Sequence, residues 1–128
     1  MRIVDEKMLA EFRTDCCRHC GRRRSTDPHH LFGRGLAGGN RLDVRFNLVS
    51  LCRECHTERH LGNEPTHETL LLYVAHRHNC LQDDLIAAHR WLKNLDKHSS
   101  PERIEEKLLE LKPASRRLAR EAMEERNA

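Results

Sequence analysis

The sequence predicts an α+β fold: a small core of two strands and a helix clamped by cysteines, followed by a mostly helical C-terminal part. Three observations predict it. Two Cys-x-x-Cys pairs, Cys17 with Cys20 and Cys52 with Cys55, stand 31 residues apart. Between them, strand-like residues flank a turn-rich stretch holding Gly33, Gly35, Gly38, Gly39 and Asn40. From Thr66 onward apolar residues recur at helical steps. The expected organisation is a helix or arm over 1–12, a Cys/His core over 13–62 and a helical extension over 63–128.

Taken in order, residues 45–51, RFNLVSL, read as a short strand. Residues 53–60 read as a helix stopped by Gly62 and Asn63. The core plan is strand, loop, strand, helix. The block LLLYVA over 70–75 reads as a buried helix. Leu81, Leu85, Ala88, Leu92 and Leu95 share one face of the next, with Trp91 expected in the core. Ser100 followed by Pro101 reads as an N-cap with proline at the first helical position. That helix runs past Ile104, Leu108 and Leu111 to Pro113, which breaks or restarts it. The charged C-terminal stretch SRRLAREAMEERNA reads as a frayed or partner-dependent helix.

No apolar run reaches the roughly 18 residues of a membrane span, and the charged opening MRIVDEKMLAEFR lacks a signal-peptide core. The expected location is cytoplasmic. Aromatic residues make up only 4% of the chain, so a metal is the expected source of extra stability. In that compartment six cysteines point to metal before disulfides. The net charge of +3 conceals a bias: residues 13–60 carry ten Arg, no Lys and five acids. Arg suits bidentate phosphate contact. The helical part is close to neutral, which suits packing, a protein partner or self-association better than broad phosphate contact.

The four paired cysteines supply thiolates for a tetrahedral structural Zn²⁺. Gly21 fits the tight turn after Cys20. Cys16 is a spare, and Cys80 reads as a small buried apolar residue. His29 and His30 are adjacent, so on a strand they point to opposite sides. His56 and His60 are one helical turn apart and share a face. An imidazole can accept a proton from water near neutral pH, and a divalent cation can stabilise charge at phosphorus and on a departing oxygen. The remaining histidines, His19, His67, His76, His78, His89 and His98, read as exposed or structural.

DPHH at 27–30, the glycine-rich loop with Arg34, NLV at 47–49 and LCRECHTERH at 51–60 together resemble the HNH nuclease family, whose core is the ββα-metal, or His-Me, finger. The resemblance covers roughly residues 14–62, and the cysteine pairs match a zinc-stapled branch common in phage and prophage genomes. It implies a DNA endonuclease using one divalent ion, with 5′-phosphate and 3′-hydroxyl products. Carried over by position, His30 is the general base, His29 and His56 are metal ligands, and His60 is an additional histidine near the metal or the phosphate, counted with the metal ligands. Asn47 holds the catalytic loop by hydrogen bonds. Arg34, Arg53 and Arg59 are the expected phosphate contacts, and Mg²⁺ or Mn²⁺ is the expected catalytic ion. His29 stands where an Asp is more frequent, which leaves Asp27 a place behind a ligand. The alternative is a zinc-stapled nucleic-acid-binding module without catalysis.

Overall fold

Asp5 accepts a hydrogen bond from the Met8 N–H and so starts α1, Glu6–Arg13, whose Met8, Leu9 and Phe12 turn inward. The computed structural model describes residues 1–22, 25–33 and 39–126. Ahead of α1, Ile3 forms a parallel bridge with Leu42. The first residues therefore combine an extended arm with a helix.

β1, Asp27–His30, pairs antiparallel with β2, Leu48–Leu51, placing His29 opposite Val49 and His30 opposite Leu48. The expected strand over 45–51 begins late. Arg45–Asn47 forms a single 3₁₀ turn, closed by the Asn47 N–H on the Val44 carbonyl at 2.9 Å. That turn sets Asn47 at the junction rather than on the pleat. All four residues of β2 are buried. Thr26 and Ser50 hydroxyls both donate to the Phe12 carbonyl, tying α1 to the strand pair.

α2, Arg53–His60, lies against both strands and buries none of its residues fully. A helix this polar needs support other than an apolar stripe. Its support is chemical: Cys52 caps it through sulfur, accepting from the Cys55 N–H, and its His and Cys side chains face other elements of the core.

The helical part consists of α3, His67–Arg77; α4, Gln82–Asn94; α5, Pro101–Leu108; and α6, Pro113–Arg126. Thr66 and Ser100 cap α3 and α5 through their hydroxyls. Leu85, Ala88, Leu92 and Leu95 are buried as the periodicity predicts. Leu81 is 72% exposed, because it is the residue before α4 and leaves the helical face. Trp91 is only partly buried and donates its indole N–H to the Lys107 carbonyl.

α6 departs from the expectation of a frayed or partner-dependent helix. Ser115, Leu118, Ala119 and Ala122 are buried, and the helix packs on α4 and on the 3₁₀ turn. Arg117, Glu121, Glu124 and Arg126 are exposed, Arg116 and Glu125 reach other elements, and the small apolar residues of the inner face permit close approach. One buried cluster joins Val44, Val49 and Leu51 to Leu70, Val74, Leu85, Leu92 and Leu118. The Cys/His segment and the helices thus share a core. No helix among the described residues is long and apolar enough to cross a membrane.

Candidate active site and metal centres

The two cysteine pairs meet. Sulfurs of Cys17, Cys20, Cys52 and Cys55 lie within 4.8 Å of one another, with Cys20 and Cys52 Sγ 3.9 Å apart. Four sulfurs about 2.3 Å from a tetrahedral zinc would stand about 3.8 Å apart, so the set fits that ion. The backbone prepares it: Gly21, at φ +71°, returns its N–H to the Cys17 carbonyl, and Arg18 N–H donates to Ser50 O. Burial pushes the Cys17 thiol up, but hydrogen bonds from the backbone of Cys52, Cys20 and His19 outweigh it and bring it down to about 6. Cys55 moves the other way, raised by burial and then by the neighbouring sulfurs of Cys52 and Cys17. Without a cation the cluster cannot ionise fully, and a bound divalent ion removes that conflict. Cys16 is exposed and outside the cluster.

A second set forms where β1 faces α2. His29 Nδ1 is 3.2 Å from His56 Nε2, and His60 Nε2 is 3.1 Å from the same atom. Three imidazole nitrogens held about 2.0–2.1 Å from one tetrahedral ion would stand about 3.4 Å apart. The donor set fits a cation. His56 Nδ1 lies 3.1 Å from Asp27 Oδ2, an arrangement that places the ring proton on Nδ1 and leaves on Nε2 the lone pair a cation would need. Asp27 therefore stands behind His56. Burial, then the neighbouring charges of His56, Arg59, His60 and His30, lowers His29 to about 3. Its imidazole is neutral at physiological pH, the form a cation would need.

His30, the next residue of β1, lines the same hollow of about 370 Å³ with His29, His56, Arg59 and His60. Its Nε2 is 2.7 Å from Asp43 Oδ1. The sequence reading missed Asp43. It lies 13 residues after His30 across the glycine-rich loop, and no spacing pattern marks it.

Asn47 is fully buried at the root of that loop. Its Oδ1 accepts from the Phe32 N–H at 2.8 Å, its Nδ2 donates to Leu42 O at 2.9 Å, and its carbonyl accepts from the Leu31 N–H. It fastens both ends of the loop and stays out of the hollow.

The three expected phosphate contacts separate. Arg59 lines the hollow, and its Nε is buried with no hydrogen-bond partner among the described residues. Arg53 is highly exposed and pairs with Asp27 at 3.2 Å. Arg34 lies outside the described residues.

No family model, curated protein or solved structure matches this chain.

The arrangement combines three imidazoles spaced to suit a cation, a carboxylate-paired imidazole and a guanidinium around one open hollow. Of the residues read from the sequence, His29, His30, His56, His60 and Arg59 line that hollow, Asn47 supports it, and the four cysteines gather separately.

Proposed function

We propose that this chain is a metal-dependent DNA endonuclease of the HNH type, with β1, β2 and α2 forming its ββα-metal finger. The observation that carries the reading is the convergence of His29, His56 and His60 on one point beside His30 in an open hollow. The four-cysteine set is its structural zinc site.

His29, His56 and His60 would hold the catalytic cation, which when bound stabilises charge on the phosphoryl and departing oxygens. Three nitrogens and no carboxylate favour a borderline ion such as Zn²⁺, Ni²⁺ or Co²⁺ over Mg²⁺. Mn²⁺, the other ion expected from the sequence, is served less well by imidazole than by oxygen ligands. Asp27 orients His56 and raises its basicity as a ligand. His30 takes the proton of the attacking water. Arg59, whose buried Nε meets no protein partner among the described residues, contributes positive charge where a phosphate would enter. The arginine-rich segment gives affinity for a polyanion without reading base edges.

The test is cleavage of supercoiled plasmid by protein that keeps zinc on its four cysteines and is supplied with each of Zn²⁺, Ni²⁺, Co²⁺, Mn²⁺ and Mg²⁺ in turn. Nicking with a supplied ion, lost with chelator and lost in His30→Ala, is expected. The ligand set is intact in that variant, so it should still bind the metal. Plasmid binding without cleavage under every ion would favour the non-catalytic binding module.

A further inference from the structure

We propose that Asp43 is a positioning residue for His30, holding the imidazole with its proton on Nε2 and its basic lone pair on Nδ1. The proposal rests on the nuclease reading for the use of that lone pair, and on the geometry alone for its placement.

Asp43 has a side chain with no exposed surface, and its carboxylate is crowded with donors. Oδ1 receives His30 Nε2 at 2.7 Å and Arg41 Nε at 3.0 Å. Oδ2 receives the Asp5 N–H at 2.8 Å and an Arg41 terminal nitrogen at 2.7 Å. Burial pushes the carboxyl up, but hydrogen bonds from Arg41, His30 and the Asp5 N–H outweigh it and hold it below the usual carboxylate range.

An ionised carboxylate has no proton to give, so its bond to His30 can run in one sense only. Nε2 must donate. In the neutral ring the remaining lone pair then sits on Nδ1. The opposite tautomer would point a lone pair at a buried anion across 2.7 Å. Arg41 makes the anchor rigid, because its guanidinium grips both carboxylate oxygens and also reaches Glu6 of α1 at 3.1 Å. The bridge of Ile3 with Leu42 fixes the backbone just before Asp43. The N-terminal arm and α1 thus set the orientation of an imidazole on β1.

The first experiment is ¹⁵N NMR of the histidine rings in the zinc-loaded full chain near pH 8, where ordinary imidazoles are neutral. His30 should show a protonated Nε2 and an unprotonated Nδ1. A proton on Nδ1 would overturn the proposal, and this readout needs no substitution. The second is Asp43→Asn, whose amide can present a donor to Nε2. It should shift the His30 ring toward the Nδ1–H form and lower kcat for plasmid nicking by about 10²-fold or more. KM and the bound metal should change less than about twofold. A variant that folds, keeps the Nε2–H form and cuts like the parent would overturn the role. Should Asp43→Asn fail to fold, the parent spectrum decides. A parent that carries Nε2–H on His30 yet cuts with no ion defeats the nuclease reading and leaves the orientation standing. A parent that cuts with the proton on Nδ1 defeats the role of Asp43 alone.

Discussion

The Phe32 ring, just beyond β1, lies flat on the His89 imidazole of α4, with centroids 4.3 Å apart and planes 19° apart. The same ring meets His67 of α3 edge-on at 6.1 Å. The helical part therefore grips the segment that leads from His30 into the glycine-rich loop. His89→Ala should lower stability by about 1–2 kcal/mol, from the lost stack and part of the ring's burial. His89→Phe, which keeps the stack, should lose less. Thermal melts of the three proteins check the order, and an unchanged melting temperature for His89→Ala would show that the contact carries no stability.

His89 also brings a pH dependence. Burial, then Lys93 and Arg90, lowers it to about 4, and burial, then Arg77, Arg117 and Arg45, does the same to His78. Both start from an unfolded value of 6.5. Between those limits the unfolded chain binds more protons than the folded one. The stabilising contribution is therefore complete above pH 6.5 and is lost as pH falls toward 4. Denaturant titrations at pH 7.5, 5.5 and 4.5 should show falling stability, with a shallower fall in His89→Phe. Equal slopes in the two proteins would remove His89 from the account.

Asn47 joins the two ends of the loop from a site with no solvent exposure. Asn47→Ala leaves the Phe32 N–H and the Leu42 carbonyl without their partner. The expected cost is about 2–4 kcal/mol, because each stranded buried group forfeits its desolvation. Urea denaturation measures it, and a loss under about 0.5 kcal/mol would mean the loop is held elsewhere.

Cys17 is 1% exposed and sits at the inner corner of the sulfur cluster. In small metal-clamped domains the free energy of the site is free energy of folding. Cys17→Ser should lose the structural ion and the core with it. Cobalt substitution gives the readout: the parent should show thiolate-to-cobalt absorption that the variant lacks. A folded variant with the parent's absorption would exclude Cys17 as a ligand.

Leu118 tests the packing of α6. Its side chain is 1% exposed within the cluster shared by both parts of the chain. Leu118→Ala should cost about 2–5 kcal/mol by opening a cavity. A frayed helix would instead give almost no change in urea denaturation.

The sequence by itself determined the local elements and the chemistry available to them. The cysteine pairs, the His29/His30 dipeptide on an extended segment and the one-turn spacing of His56 and His60 follow from covalent order and from the periods of strand and helix. So do the Ser100 cap and the buried face of α4. Only the tertiary structure decided which distant groups meet. The Asp43 carboxylate reaches His30 because the Ile3 bridge and Arg41 bring the far end of the loop back to β1. Asp27 takes His56 because β1 and α2 lie side by side. α6 looks too charged to bury, yet it packs through Leu118, Ala119 and Ala122 because α4 and the 3₁₀ turn offer a matching surface. Such pairings depend on summed burial and on closing long loops, which no local pattern of residues encodes.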